Sequence, residues 1–284
     1  TGILCTLDAT EEVVDEAITK KFNLVVAHHP IIFGGLKKIN GKNYVEKTVI
    51  KAIKNDIAIY AIHTNLDNVL TGVNGRIAAL LGLENTRVLA QKTAALKKLF
   101  TFAPADKAAA VRQALFDAGG GHIGQYSECS FNSPGTGTFR ASEGANPYVG
   151  AIGEQHQENE VKIEVIFPAD LQSPLVAALK AAHPYEEVAY DVVALENTHS
   201  GTGSGVVGEW PEGLDEKAFL ERLKSVFNIP VVRHTALTGR PIRRVAVCGG
   251  AGSFLISKAL AAGADAYVTA DLKYHEFFDA DGRM

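Results

Sequence analysis

Residues 24–30 constrain this chain more than any other stretch. Leu24-Val-Val-Ala27 is a short apolar run without polar alternation, the pattern of a strand covered on both faces. It leads straight into His28-His29-Pro30, where proline, lacking a backbone donor, ends regular pairing. Successive residues of a strand point to opposite faces, so adjacent histidines share one centre only where a strand breaks. Sites in open α/β sheets form at that place, beyond the carboxyl ends of strands.

A second apolar run, Asp56 to Ile62, also ends on a histidine, in His63-Thr-Asn-Leu-Asp67. Between the runs, Tyr44 to Asn55 carries Val45, Val49, Ile50 and Ile53 at helical spacing with lysines among them. Strand, helix, strand predicts a right-handed βαβ unit with both strand ends on one edge. His28, His29, His63 and Asp67 are therefore expected to converge. Imidazoles with a carboxylate are borderline-hard ligands, suited to zinc, iron, manganese or cobalt. A single His-Pro after a strand is usually a turn, and a lone histidine is usually a satisfied side chain. Two such strand ends in one unit favour a metal centre.

The remaining pattern predicts an α/β protein made of a discontinuous domain and an insert. Gly2 to Leu7 reads as a strand, Glu11 to Lys20 as a helix, and Thr71 to Leu81 as a helix stopped by Gly82. We draw the first half of the discontinuous domain at 1–94, the insert at 95–198 and the second half at 199–284. Within the insert, Leu96 to Ala103, Val161 to Phe167 and Tyr190 to Leu195 read as strands, and Ala105 to Ala118 and Leu171 to Ala182 as helices. Glu128 to Arg140 has a loose hairpin composition, and Gln155 to Asn159 reads as a loop. The order β-α-β-β-α-β is the ferredoxin-like unit, with first and last strands expected side by side at the sheet centre. From Ser200 the chain rejoins the first domain, and Gly201 to Trp210 reads as a glycine-rich turn running into a short strand. A helix over Asp215 to Val226 follows, then a strand over Arg244 to Cys248. A turn at Gly249 to Ser253, a helix over Phe254 to Ala262 and a last strand over Asp265 to Thr269 complete the chain's regular elements.

Three further stretches carry polar groups. The Gly249 to Ser253 turn has backbone donors for a phosphate but matches no phosphate-binding glycine motif, so a tight turn is the simpler reading. Asp271 and His275, four apart beyond a strand end, are possible additional ligands. His183-Pro-Tyr-Glu-Glu187 at a helix end reads as structural or subunit-facing. No Ser-His-Asp or Cys-His nucleophile arrangement stands out.

Composition narrows the classes. A 46% hydrophobic content supports packed cores, and a net charge of −4 argues against a general nucleic-acid-binding surface. No apolar run approaches the ~20 residues of a membrane span. The three cysteines, Cys5, Cys129 and Cys248, are far apart and form no C-x-x-C pair. A reduced, cytoplasmic protein is expected. Both ends look cut, so the natural product is expected to be longer.

The motifs Val26-Ala-His-His-Pro-Ile-Ile-Phe33, His63-Thr-Asn-Leu-Asp67, Gly203-Ser-Gly-Val-Val-Gly-Glu209 and Cys248-Gly-Gly-Ala-Gly-Ser253 occur in that order, followed by Asp265 to His275. Together they resemble the YbgI-like dinuclear-metal-centre family, whose members are often described as GTP cyclohydrolase 1 type 2 homologues. The middle segment resembles the PII/CutA-like insert of longer members. The resemblance implies that His28, His29 and Asp67 are metal ligands, with His63 placed behind them; in a hydrolase His63 or another cavity residue would take the catalytic, proton-shuttling role. It implies two divalent metal ions per subunit in the complete protein, and a ring-shaped homohexamer. The family's remaining ligands lie in a Gly-His-x-x-x-Glu motif downstream of the counterpart of His275, which this chain does not reach. A complete two-metal centre is therefore not expected from these residues alone.

The expected function is that of a dinuclear metal-dependent hydrolase acting on a small molecule such as a purine nucleotide. The alternative is a non-catalytic metal-binding assembly whose insert docks an effector or partner.

Overall fold

Residues 2–284 are described by a computed structural model and divide into two units, 2–90 with 203–284, and 91–202. The first unit opens with β1 (Ile3–Thr6), α1 (Glu11–Thr19), β2 (Leu24–Ala27), α2 (Tyr44–Lys54) and β3 (Ala58–Ala61). The strands form a parallel sheet in the order β1-β2-β3, with Cys5, Val26 and Tyr60 in register. Thr10 starts α1 by accepting a hydrogen bond from the Val13 amide, and Asn43 starts α2 by accepting from the Glu46 amide. Val14, Ala17 and Ala52 pack with Val25, so both helices bury their apolar sides against one face of the sheet. The other face is not covered to the same degree. Leu24 and Val26 are only half-buried there, and Ile3, Leu7 and Tyr60 are more than half exposed. The two-sided burial predicted for β2 thus holds on one side only.

α3 (Thr64–Asp67), α4 (Val73–Leu81) and β4 (Glu84–Gln91) complete the first segment. Gly82 ends α4 in the left-handed conformation, φ 75°, where a side chain would be strained.

The second unit comprises β5 (Leu96–Pro104), α5 (Ala108–Asp117), β6 (Ser130–Arg140), β7 (Gln155–Pro168), α6 (Gln172–Ala182) and β8 (Tyr190–Ala194). Its sheet runs β6-β7-β5-β8 with every neighbouring pair antiparallel, the ferredoxin-like arrangement. Leu99, Ile163, Val165 and Phe167 form the sheet side of the core, and Val111, Leu115, Leu175 and Leu179 the helix side. Three local expectations need correction. β6 is one continuous strand rather than a loose hairpin, because Pro134 and its glycines sit on an edge strand, where a missing donor costs nothing in the ladder. Gln155 to Asn159 is not a loop but the start of β7, paired with Thr136 to Arg140. The first and last strands are side by side, yet β8 lies at the sheet edge and only β5 and β7 are central. We expect the segment 91–202, expressed alone, to unfold in one cooperative urea transition followed by circular dichroism. A gradual, non-cooperative loss of signal would show that its order depends on the remainder of the chain.

The chain returns to the first unit as β9 (Gly203–Leu214), α7 (Glu216–Phe227), β10 (Ile242–Ala251), α8 (Ile256–Ala261) and β11 (Ala266–Ala270). β9 is far longer than the short strand expected. The sheet order is β11-β10-β9-β4, with β10 parallel to β11 and antiparallel to β9. Val206, Trp210, Phe219, Val245 and Val247 pack with Ala78 and Leu81 of α4. At Cys248 to Ala251 the register of β10 shifts, so the glycine turn is a bulge within a strand before the chain reaches α8.

Candidate metal centre

Backbone pairing continues past the strand ends and brings the histidines together. The amides of His28 and His29 donate to the carbonyls of Thr6 (3.1 Å) and Leu7 (2.9 Å), and the His63 amide donates to the His28 carbonyl (2.9 Å). The His28 and His29 ring centres are 4.8 Å apart, and the His63 ring lies 5.7 and 6.0 Å from them. His63 has φ 38° and ψ −129°, a strained conformation for a residue with a Cβ. Its carbonyl accepts from the Leu66 amide (3.0 Å), so the strained residue is held from both sides as it opens α3. That short helix ends on Asp67, whose Oδ1 lies 3.7 Å from His28 Nε2.

A carboxylate that sequence reasoning did not single out completes the arrangement. His29 Nδ1 lies 2.8 Å from Oδ1 of Asp8, just beyond the end of β1. With Nδ1 as the donor, the ring orientation is fixed and Nε2 is left as the free nitrogen. The signal was present, since Asp8 follows the first strand as His28 follows the second.

A further buried group, Asn74, ties the cluster to the opposite sheet of the same unit. It is 1% exposed. Its amide nitrogen donates to the Asp67 carbonyl (2.9 Å), and its Oδ1 accepts from the Gly249 amide (2.7 Å). Gly249 therefore has its donor occupied, which removes one of the groups a phosphate cradle would need. Nearby, burial pushes the Cys248 thiol up and the charge of Asp67 adds to the effect, so the thiol stays protonated and is a poor nucleophile.

The approach to the cluster is shaped by Glu46. This carboxylate is 3% exposed; Oε2 accepts from the amides of Asn40 and Lys42 (both 3.0 Å), and Oε1 accepts from the Asn43 side chain (2.9 Å). It thereby fixes the far end of the loop that leads from β2 to α2. The Lys42 and Asn40 amides hold its pKa below the ordinary carboxylate value of 4.5. A depressed folded-state value means that the stabilisation is complete above the unfolded value and is lost as pH falls through the folded one. Amide exchange at Asn40 and Lys42 is therefore expected to accelerate on acidification below about pH 4, relative to a Glu46→Gln variant. Identical profiles for the two proteins would show that Glu46 does not clamp the loop.

The donors fit a divalent ion chemically: two imidazoles and a carboxylate at the end of parallel strands. Two ligands of one ion lie about 3.0–3.5 Å apart, close to the His28–Asp67 spacing. The geometry is nonetheless incomplete, because no three His, Cys, Asp or Glu side chains among the described residues converge as a ready set. Asp271 and His275 do not join these donors among the described residues. His275 packs against Tyr274 (5.2 Å) and Phe278 (6.0 Å) and makes no ring contact with the cluster histidines among the described residues. His183 is a satisfied core histidine: Nε2 lies 2.9 Å from the Phe102 carbonyl, and Nδ1 accepts from the Tyr185 amide at 3.1 Å. No helix among the described residues is long and apolar enough to cross a membrane.

Comparison with known proteins covers nearly the whole chain. The sequence model of the family described as Duf34/NIF3 (NGG1p interacting factor 3) matches residues 1–283. A Bacillus subtilis protein named GTP cyclohydrolase 1 type 2 homolog is 42% identical over 280 residues, covering 98% of this chain and 75% of its own length. A protein of the same name from Halalkalibacterium halodurans is 44% identical over 279 residues, with the same coverage of 98% and 75%. Among solved structures, a Bacillus cereus protein related to NIF3 superposes with a TM-score of 0.80 at 46% identity, over 98% of this chain and 74% of that one.

Proposed function

This chain belongs to the Duf34/NIF3 family, and from that premise we propose that the edge beyond β2 and β3 is a divalent-metal centre serving hydrolysis. The observation that carries the reading is the clustering of the His28, His29 and His63 rings within 6.0 Å of one another, with Asp67 3.7 Å from His28, at the strand ends of one βαβ unit. His28, His29 and Asp67 would hold metal, and bound ions would supply an activated water near neutral pH and a Lewis acid for the electrophile. Asp8 sets the orientation of His29 by taking its Nδ1 proton as a hydrogen bond. His63 stands at the margin of the cluster, placed to move a proton to or from a reacting group. Phe33 lies edge-on to His63 at 5.7 Å and is 75% exposed, so it offers an apolar surface to a planar substrate.

The names of the relatives suggest the substrate class: a purine nucleotide such as GTP, hydrolysed at a C–N bond of its imidazole ring. The same reading includes two ions per subunit in the complete protein, and self-association into a ring of six, whose mass sedimentation velocity would measure. The test pairs metal analysis by mass spectrometry with turnover of GTP by the metal-loaded protein. His63→Ala is expected to leave metal content largely intact while metal retention or turnover falls about 10–100-fold. Loss of metal equal to that of a ligand variant would instead make His63 a ligand. Metal-loaded protein that turns over neither GTP nor other phosphoester or amidine compounds would point to a metal-binding assembly rather than a hydrolase.

A further inference from the structure

The second unit contains a cleft of about 820 Å³ that plays no part in the reading above. Its volume falls within the range of small-molecule sites. It is lined by β6, the middle of β7, the loop after β6 and the Tyr185 to Glu187 segment, all within the ferredoxin-like unit. Three aromatic rings meet there: Tyr185 lies 6.2 Å from Phe139 and 6.1 Å from Tyr148, inclined by 57° and 49°. Tilted rings present π faces in more than one direction, which suits a compact charged group better than a flat one.

The charge of the cleft has a definite source. Glu160 accepts a hydrogen bond from the Tyr185 hydroxyl (2.9 Å), and its other oxygen lies over Gly137, where a Cβ would collide with the carboxylate. Glycine at position 137 is what admits the acid into the sheet surface. Neither cleft cation forms an ion pair with it among the described residues: Lys162 bonds to Glu164 at 2.8 Å, a carboxylate that Lys98 shares at 3.3 Å, and Arg140 donates to the Gly153 carbonyl at 3.0 Å. Tyr185 is neutral, its hydroxyl pushed well above the ordinary tyrosine range by burial and then by its bond to Glu160. Glu186 fastens the loop over the cleft by accepting from the Asn146 amide (2.8 Å), which leaves Glu187 as a second carboxylate at the mouth.

We propose that this cleft binds a small organic cation, an alkylammonium or guanidinium compound, between the Phe139, Tyr148 and Tyr185 rings and the Glu160 carboxylate. The rings attract the charge through their π faces and shed little water in doing so. The carboxylate supplies the charge-assisted contact that fixes the orientation.

Isothermal titration of the full chain with choline and with spermidine tests this. Saturable binding of the ammonium probes is expected, with the uncharged carbon isostere of choline at least about tenfold weaker. Glu160→Gln keeps an acceptor for Tyr185 and the fit over Gly137, and is expected to weaken binding about tenfold. Tyr148→Ala, at a residue 50% exposed where folding is not at stake, should lose a similar factor. Equal binding of the isostere, preference for succinate, a Glu160→Gln variant as good as the original chain, or no ammonium binding at millimolar concentration would each overturn the proposal. So would a change in sedimenting mass on Tyr148→Ala, which would show that a second copy of the chain fills the cleft.

Discussion

Asp67→Asn is expected to lower zinc affinity by about 100-fold or more, the larger of the two effects we assign to carboxylates at the cluster. Asparagine keeps the size of the side chain and leaves the backbone carbonyl available to Asn74, so local structure should survive. What it removes is negative charge 3.7 Å from His28, where the charge of a bound cation would need balancing. Changes to groups behind metal ligands typically cost about 10–100-fold, and loss of a ligand should exceed that. Asp8→Asn is the internal comparison, because it acts only by orienting His29 and should stay within the smaller range. Equilibrium dialysis against zinc, with metal counted by mass spectrometry, measures both. If Asp67→Asn bound zinc as tightly as the original chain, the metal would lie elsewhere.

The second large effect concerns stability. Asn74→Ala is expected to destabilise the first unit by about 2–4 kcal/mol, since the part-buried Gly249 amide and Asp67 carbonyl each lose their partner at about 1–2 kcal/mol, the lower part of the range for a buried group. That corresponds to a fall in Tm of very roughly 5–12 °C for a unit of this size. Differential scanning calorimetry would show it, and an unchanged Tm would mean that water replaces both bonds. The variant also reports on the site. Asn74 spans from Asp67 at the cluster to Gly249 in the bulge of β10, so its loss should loosen α3 as well as the core.

The organising βαβ unit was legible because its apolar runs end abruptly on histidines, and a parallel unit leaves those ends only one edge to occupy. The helices were legible from apolar spacing, as over Tyr44 to Asn55, and from a stop signal such as Gly82. Elements at sheet edges were not. β4 was not anticipated, for its first four residues, Glu84 to Arg87, are all exposed and carry no alternation to read. β6 has the composition of a turn, and only its pairing with β7 makes it a strand. At the site, His28, His29, His63 and Asp67 could be named from position alone. Asp8 and Asn74 could not be ranked above other polar residues, because their importance lies in what they touch across the fold. The strained φ of His63 has no sequence signature, whereas the positive φ of Gly82 does.

The pairing of β4 with β9 bears on how such a chain can grow and shrink. These two strands are neighbours in one sheet, yet the whole second unit separates them in sequence. At its threshold the Lys92 amide donates to the Thr202 carbonyl at 3.0 Å, so the entering and leaving segments are already joined. Closing a disordered loop carries an entropic penalty that rises with the logarithm of its length. A folded insert whose ends meet escapes most of it and presents the sheet with the equivalent of a short connection. Descendants of one ancestral chain could therefore acquire, exchange or discard the ferredoxin-like unit with little effect on the pairing of β4 with β9, and selection would act on what the insert does rather than on whether the host tolerates it.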